Sequence, residues 1–164
     1  MSQQLAIDCF SFAREGGVLD GIVTISDIVR LHDLLTGISG EVHFQLSGCT
    51  GERDQPQLRV QVDGQVPLAC QRCLKTIDFE LKVDSLLELI PEGVEPTQEE
   101  LEDDSRDFLP VAGKLDVVAL IEDEVLLALP VAPRHEKCGL PGTAEAGERV
   151  NPFTALSVLK GKPN

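Results

Sequence analysis

The chain contains no tryptophan, no tyrosine and a single methionine, and aromatics make up only 4% of its 164 residues. Six phenylalanines are the whole aromatic supply. The core must therefore be aliphatic, built from Leu, Val and Ile, which an apolar content of 42% permits. No apolar run nears the ~20 residues a membrane-spanning helix requires, so no membrane partner is expected. The N-terminal stretch MSQQLAIDCFSFAREGG has no long apolar segment leading to a small-residue cleavage site. No signal peptide is expected, and the expected location is cytoplasmic. Basic residues are scarce: 14 against 28 acidic ones, for a net charge of −14. That excludes the clustered positive charge with which proteins grip phosphate backbones, so DNA is not an expected partner. Such a surface repels bare nucleic acid and attracts basic proteins, or serves solubility alone. Three histidines and the absence of an HExxH, a nucleophile elbow or a glycine-rich phosphate loop leave hydrolytic chemistry poorly supplied. The expectation is a protein that is not an enzyme.

Two of the five cysteines stand close together in CQRC, at Cys70 and Cys73. Three readings are open: a redox dithiol, half of a metal site, or small residues at a strand end. A thioredoxin-like dithiol belongs at a helix start after a parallel strand, whereas the neighbours of CQRC alternate as strands. A metal site needs more ligands, and HEKC supplies His135 and Cys138. Cys70, Cys73, His135 and Cys138 would form a Cys₃His set, a closed tetrahedral arrangement for a structural zinc. That clip would staple the sheet to the loop after a later helix. The long gap between the pairs leaves the metal reading and the ordinary one both standing. Cys9 and Cys49 have no spaced partner and read as small apolar residues.

The hydrophobic pattern predicts one α+β domain over residues 1–164. Residues 4–24 read as two strands around a turn at Arg14–Gly17, and IVRLHDLLTG as a short amphipathic helix ended by Gly37, with His32 partly exposed on it. From Gly40 the period is two: Val42, Phe44, Leu46, then Leu58, Val60, Val62, then Ile77, Phe79, Leu81, Val83. Asp63-Gly64 reads as a tight turn. The result is an antiparallel meander of about four strands, open or partly closed into a barrel, with CQRC where one strand turns into the next. Residues 92–107 hold eight acids against Arg106 alone and read as a mobile acidic loop. LDVVALIEDEVLLALP reads as a long helix, capped by Asp116 and ended by Pro130. Apolar nearly all round, it must pack on the sheet, with Glu122, Asp123 and Glu124 on its remaining face. Residues 139–164 read as an irregular tail with a short helix from Asn151, for two or three helices in all.

VPLACQRCLKTIDFEL, LDVVALIEDEVLLALPVAPRHEKC and NPFTALSVLK, in that order and with an acidic segment between the first two, resemble the bacterial YceD family of large ribosomal RNA subunit accumulation proteins. The resemblance implies a role in synthesis, processing or stability of 23S ribosomal RNA, hence in large-subunit assembly, and no catalytic reaction. The matching positions are Cys70, Cys73, Glu122, Asp123, Glu124, Pro130, Pro133, His135, Asn151, Pro152 and Phe153. Some relatives carry further cysteines after the long helix; this chain offers Cys138, with His135 as the substitute. A ribosomal-RNA protein this acidic is expected to act through protein: a basic ribosomal protein or large-subunit assembly factor, with 23S RNA reached indirectly. The candidate partner-binding residues are Glu99, Glu100, Glu102, Asp103, Asp104, Glu122, Asp123 and Glu124. Direct RNA contact through the slightly basic tail is the second mechanism. A small zinc- or thiol-dependent protein, regulatory or enzymatic, is the alternative function.

Overall fold

The computed structural model describes residues 5–139. The expected helix from Asn151 and the tail from residue 140 lie outside the described residues. The architecture is α+β. Among the described residues, a five-stranded sheet is joined by a two-stranded ribbon and three α-helices.

The chain begins with β1 (Ala6–Asp8) and passes directly into helix α1 (Cys9–Arg14). Both strands expected in residues 4–24 are present, but the first is only three residues long and a helix, not a turn alone, stands between it and the second. Asp8 explains the switch: its carboxylate accepts a hydrogen bond from the Ser11 backbone N–H at 3.0 Å, capping the helix. Strand β2 (Val18–Thr24) follows. The helix expected over IVRLHDLLTG is also corrected: two 3₁₀ turns, Ile25–Asp27 and Val29–Leu31, take its place. Ile25, Ile28 and Leu31 are spaced by three and all fully buried. A three-residue period brings that spacing onto one face of successive 3₁₀ turns, and the second turn ends at Leu31, which leaves Leu34 exposed.

Strands β3 (Glu41–Thr50), β4 (Pro56–Ala69) and β5 (Thr76–Pro91) pair antiparallel along nearly their whole length. Asp63-Gly64 is not a turn. It lies inside β4, where Gly64 pairs with Val42 on one side and Leu81 on the other. A Cβ at Gly64 would stand 3.2 Å from the Glu41 carbonyl oxygen, so this glycine serves close strand approach. Strand β6 (Asp107–Val111) then adds to β5 in parallel, giving a mixed sheet in the order β2-β3-β4-β5-β6. Among the described residues the sheet stays open, with β2 and β6 as its edges. Within the acidic segment, Gln98–Leu101 form a single helical turn, α2, closed by a Thr97/Glu100 capping box.

Strand β7 (Lys114–Asp116) pairs with β1 and leads into α3 (Val117–Ala128). The Asp116 carboxylate accepts hydrogen bonds from the Val118 and Ala119 N–H groups, as the capping pattern predicts. The helix is twelve residues long and is not enclosed all round. Val117, Leu120, Ile121 and Val125 enter the core with Leu58, Val60 and Leu87 of the sheet, while Leu127 is 81% exposed. Among the described residues no helix is long and apolar enough to cross a membrane.

Candidate metal centre

The β4–β5 connection is six residues long and begins at Cys70. It closes on itself through Cys70 N–H to the Lys75 carbonyl and Leu74 N–H to the Cys70 carbonyl, both 2.9 Å. Leu74 sits at φ 61° and is 68% exposed. A left-handed leucine costs of order 1 kcal/mol, and such strain concentrates where geometry is dictated by a site. The turn wraps its amides around one thiol: the Arg72 and Cys73 N–H groups point at Cys70 Sγ from 3.4 and 3.5 Å.

The segment after α3 meets this turn. The Gln71 N–H donates to the Pro133 carbonyl at 2.8 Å, which brings His135 and Cys138 alongside. Cys70 Sγ lies 3.8 Å from Cys138 Sγ, and Cys73 Sγ lies 3.3 Å from His135 Nδ1. The ligand atoms of all four residues fall within 4.8 Å of one another. A tetrahedral zinc with bonds of about 2.3 Å to sulfur and 2.0 Å to nitrogen requires S···S and S···N separations of about 3.8 and 3.5 Å. The donor set therefore fits zinc. All five cysteines are free thiols.

The surroundings favour a bound cation. Burial alone would raise the Cys70 thiol, but the amides of Cys73, His135 and Arg72 bring it down to about 5. Burial raises the Cys138 thiol, and the neighbouring Cys70 and Cys73 sulfurs push it further in that direction. His135 Nε2 lies 3.1 Å from the Thr76 carbonyl. With Nε2 donating to that carbonyl, Nδ1 is left free to ligate, the tautomer a metal needs. Thr76 and the turn amides carried no signal in the sequence, since backbone groups have none.

The acidic residues fall into separate places. Glu99, Glu102, Asp103 and Asp104 are exposed, whereas Glu100 is half-buried against Arg106. Arg106 also pairs with the buried Glu88 at 2.7 Å. On α3 the three consecutive acids do not share a face. Glu122 and Asp123 both pair with Arg30 of the second 3₁₀ turn. Glu124 is 6% exposed and accepts a hydrogen bond from the Ser85 hydroxyl at 2.5 Å. Arg30 and Ser85 escaped sequence reading because each lies far from its partner along the chain.

A family model described as Large ribosomal RNA subunit accumulation protein YceD matches residues 58–160, which take in both halves of the Cys/His cluster. The Large ribosomal RNA subunit accumulation protein YceD of Haemophilus influenzae is 25% identical over 161 residues, an alignment covering 87% of each chain. No solved structure matches.

Proposed function

The chain belongs to the YceD family, and on that footing we propose that it is a non-catalytic cytoplasmic factor supporting accumulation of 23S ribosomal RNA through a basic protein partner. The family match over residues 58–160 carries the ribosomal assignment. The net charge of −14 carries the mechanism. A small polyanion gains nothing by approaching RNA directly but accelerates encounter with a cationic ribosomal protein or assembly factor. The exposed acids Glu99, Glu102, Asp103 and Asp104 supply part of that field.

Within this reading Cys70, Cys73, His135 and Cys138 hold one structural zinc. Zinc bound there would contribute folding free energy by tying the β4–β5 turn to the segment after α3. Four protein ligands fill a tetrahedron and leave no open position for a substrate water, which speaks for a structural centre over a catalytic one.

The test is a sucrose-gradient profile of cells lacking the protein, combined with affinity capture of what it binds. Loss of large subunits together with recovery of a basic protein is expected. An unchanged profile would remove the ribosomal role. Tight binding of purified protein to naked 23S RNA at physiological salt would remove the protein-mediated mechanism.

A further inference from the structure

We propose that the groove between α3 and strands β5 and β6 binds a lysine- or arginine-bearing amphipathic segment of a partner protein, its cation at Glu124 and its apolar side on the surrounding leucines. This deepens the basic-partner reading above and rests on it. The groove encloses about 780 Å³, a size that accommodates several side chains. Leu87 and Leu120 line it, Phe108 contributes an aromatic wall, and Leu127 stands exposed at its lip.

Glu124 is the unusual member of this lining. It is nine-tenths buried, yet only its Oε2 is engaged, by the Ser85 hydroxyl. Its Oε1 stays open to solvent on the groove side, since no buried side-chain oxygen among the described residues lacks a partner, and no cation among them pairs with the carboxylate. The other carboxylates of the groove differ. Asp84 is held by Arg59 and Asp123 by Arg30, while Asp107 stands exposed at the rim with no ion pair among the described residues. A carboxylate that is shielded on one side by Ser85, lacks a counter-charge and keeps one oxygen open to an apolar groove is placed to accept an ammonium or guanidinium from a ligand. The groove's own cations, Arg30 and Lys82, are already paired with Glu122, Asp123 and Glu80, and the lining holds four carboxylates against these two. An RNA or an anionic lipid would therefore be repelled, and a neutral apolar ligand would leave Glu124 without a counter-charge. A cation carried on an apolar segment satisfies both halves of the groove.

The test uses the full-length chain and a labelled 18-residue synthetic peptide of leucine and lysine at helical amphipathic spacing, set against a scrambled peptide of the same composition. The ordered peptide is expected to bind at least tenfold tighter by fluorescence anisotropy. Glu124→Gln should weaken it about tenfold. Leu127→Lys, at a position too exposed to affect folding, should do the same. Glu99→Gln with Glu102→Gln should leave the preference between peptides intact. Equal binding of both peptides, or unchanged binding by both groove variants, would overturn the proposal. So would a photo-crosslinker at position 127 that captures the chain's own residues 140–164 in the presence of excess peptide. Cells separate this from the broader reading. If loss of the protein depletes large subunits but the Leu127→Lys variant restores them fully, the groove assignment fails and the family role stands. If loss of the protein has no effect, the family role fails, and the peptide data alone decide the groove.

Discussion

Cys73 Sγ and His135 Nδ1 lie 3.3 Å apart although 62 positions separate them in the chain. The contact joins the β4–β5 turn to the segment beyond α3, so any ion held there ties distant parts of the fold together. Protein purified without chelator is expected to carry one zinc per chain by atomic emission. Removing it should lower the melting temperature by about 10 °C, the shift that a few kcal/mol produces in a chain of this size. Cys138→Ser should abolish tight binding and lower the melting point similarly. A chain free of metal under all conditions, with an unchanged melting curve in chelator, would refute the centre.

Loading of that site should depend on pH in a defined direction. Zinc binds thiolates, so ligand protons must leave. Cys70, brought down to about 5, is already a thiolate at neutral pH and releases almost nothing. Cys138, held above its ordinary value of 9.0, still carries its proton and must surrender it. Affinity should therefore strengthen as pH rises from 6 toward 9 and weaken on acidification. Titration calorimetry in buffers of different ionisation enthalpy would count the released protons, and Cys138→Ser should reduce that count.

The Arg106–Glu88 pair makes a prediction about stability. Both side chains are largely shielded, at 17% and 10% exposure. Arg106→Ala would strand Glu88 against the sheet and should cost about 3 kcal/mol in urea unfolding. Replacing both partners, as Arg106→Met with Glu88→Leu, should recover most of that loss. If the single and double variants were equally unstable, packing rather than charge would be responsible.

Gly48 is a steric contact point between α1 and β3. A Cβ placed there would lie 2.3 Å from the Phe12 carbonyl oxygen and 2.6 Å from Ala13 Cα. Both are backbone atoms that cannot swing aside. Gly48→Ala should destabilise by about 2 kcal/mol through displacement of the helix, read by urea unfolding. An unchanged midpoint would show that α1 is free to shift on the sheet.

Period-two alternation made β3, β4 and β5 legible in the sequence, because each buries one face. The cap at Asp116 was legible for the same local reason. What stayed hidden depended on partners remote in sequence. Asp63-Gly64 has the composition of a turn, but Val42 and Leu81 hold it extended. The parallel addition of β6 leaves no mark on its own five residues. The spacing of Ile28, Leu31, Leu34 and Leu35 was visible and reads as an α-helical stripe, yet its first two members fit a 3₁₀ turn equally well. At the candidate centre the ligand types could be read from CQRC and HEKC. Their convergence could not, since it requires the Gln71–Pro133 hydrogen bond. Glu124 looked like one of three equivalent surface acids until the helix phase turned it toward Ser85.

β4 and β5 run side by side from Ala69 and Thr76, next to the cysteine turn, to Gln57 and Glu88. A slip of one residue anywhere along this ladder would swap its inward and outward faces wholesale. The turn that Cys70 and Cys73 shape stands at the zero mark of that ruler. Gripping it from outside fixes the alignment of the two longest strands, so a metal bound at one corner would act as a registration pin for the whole sheet.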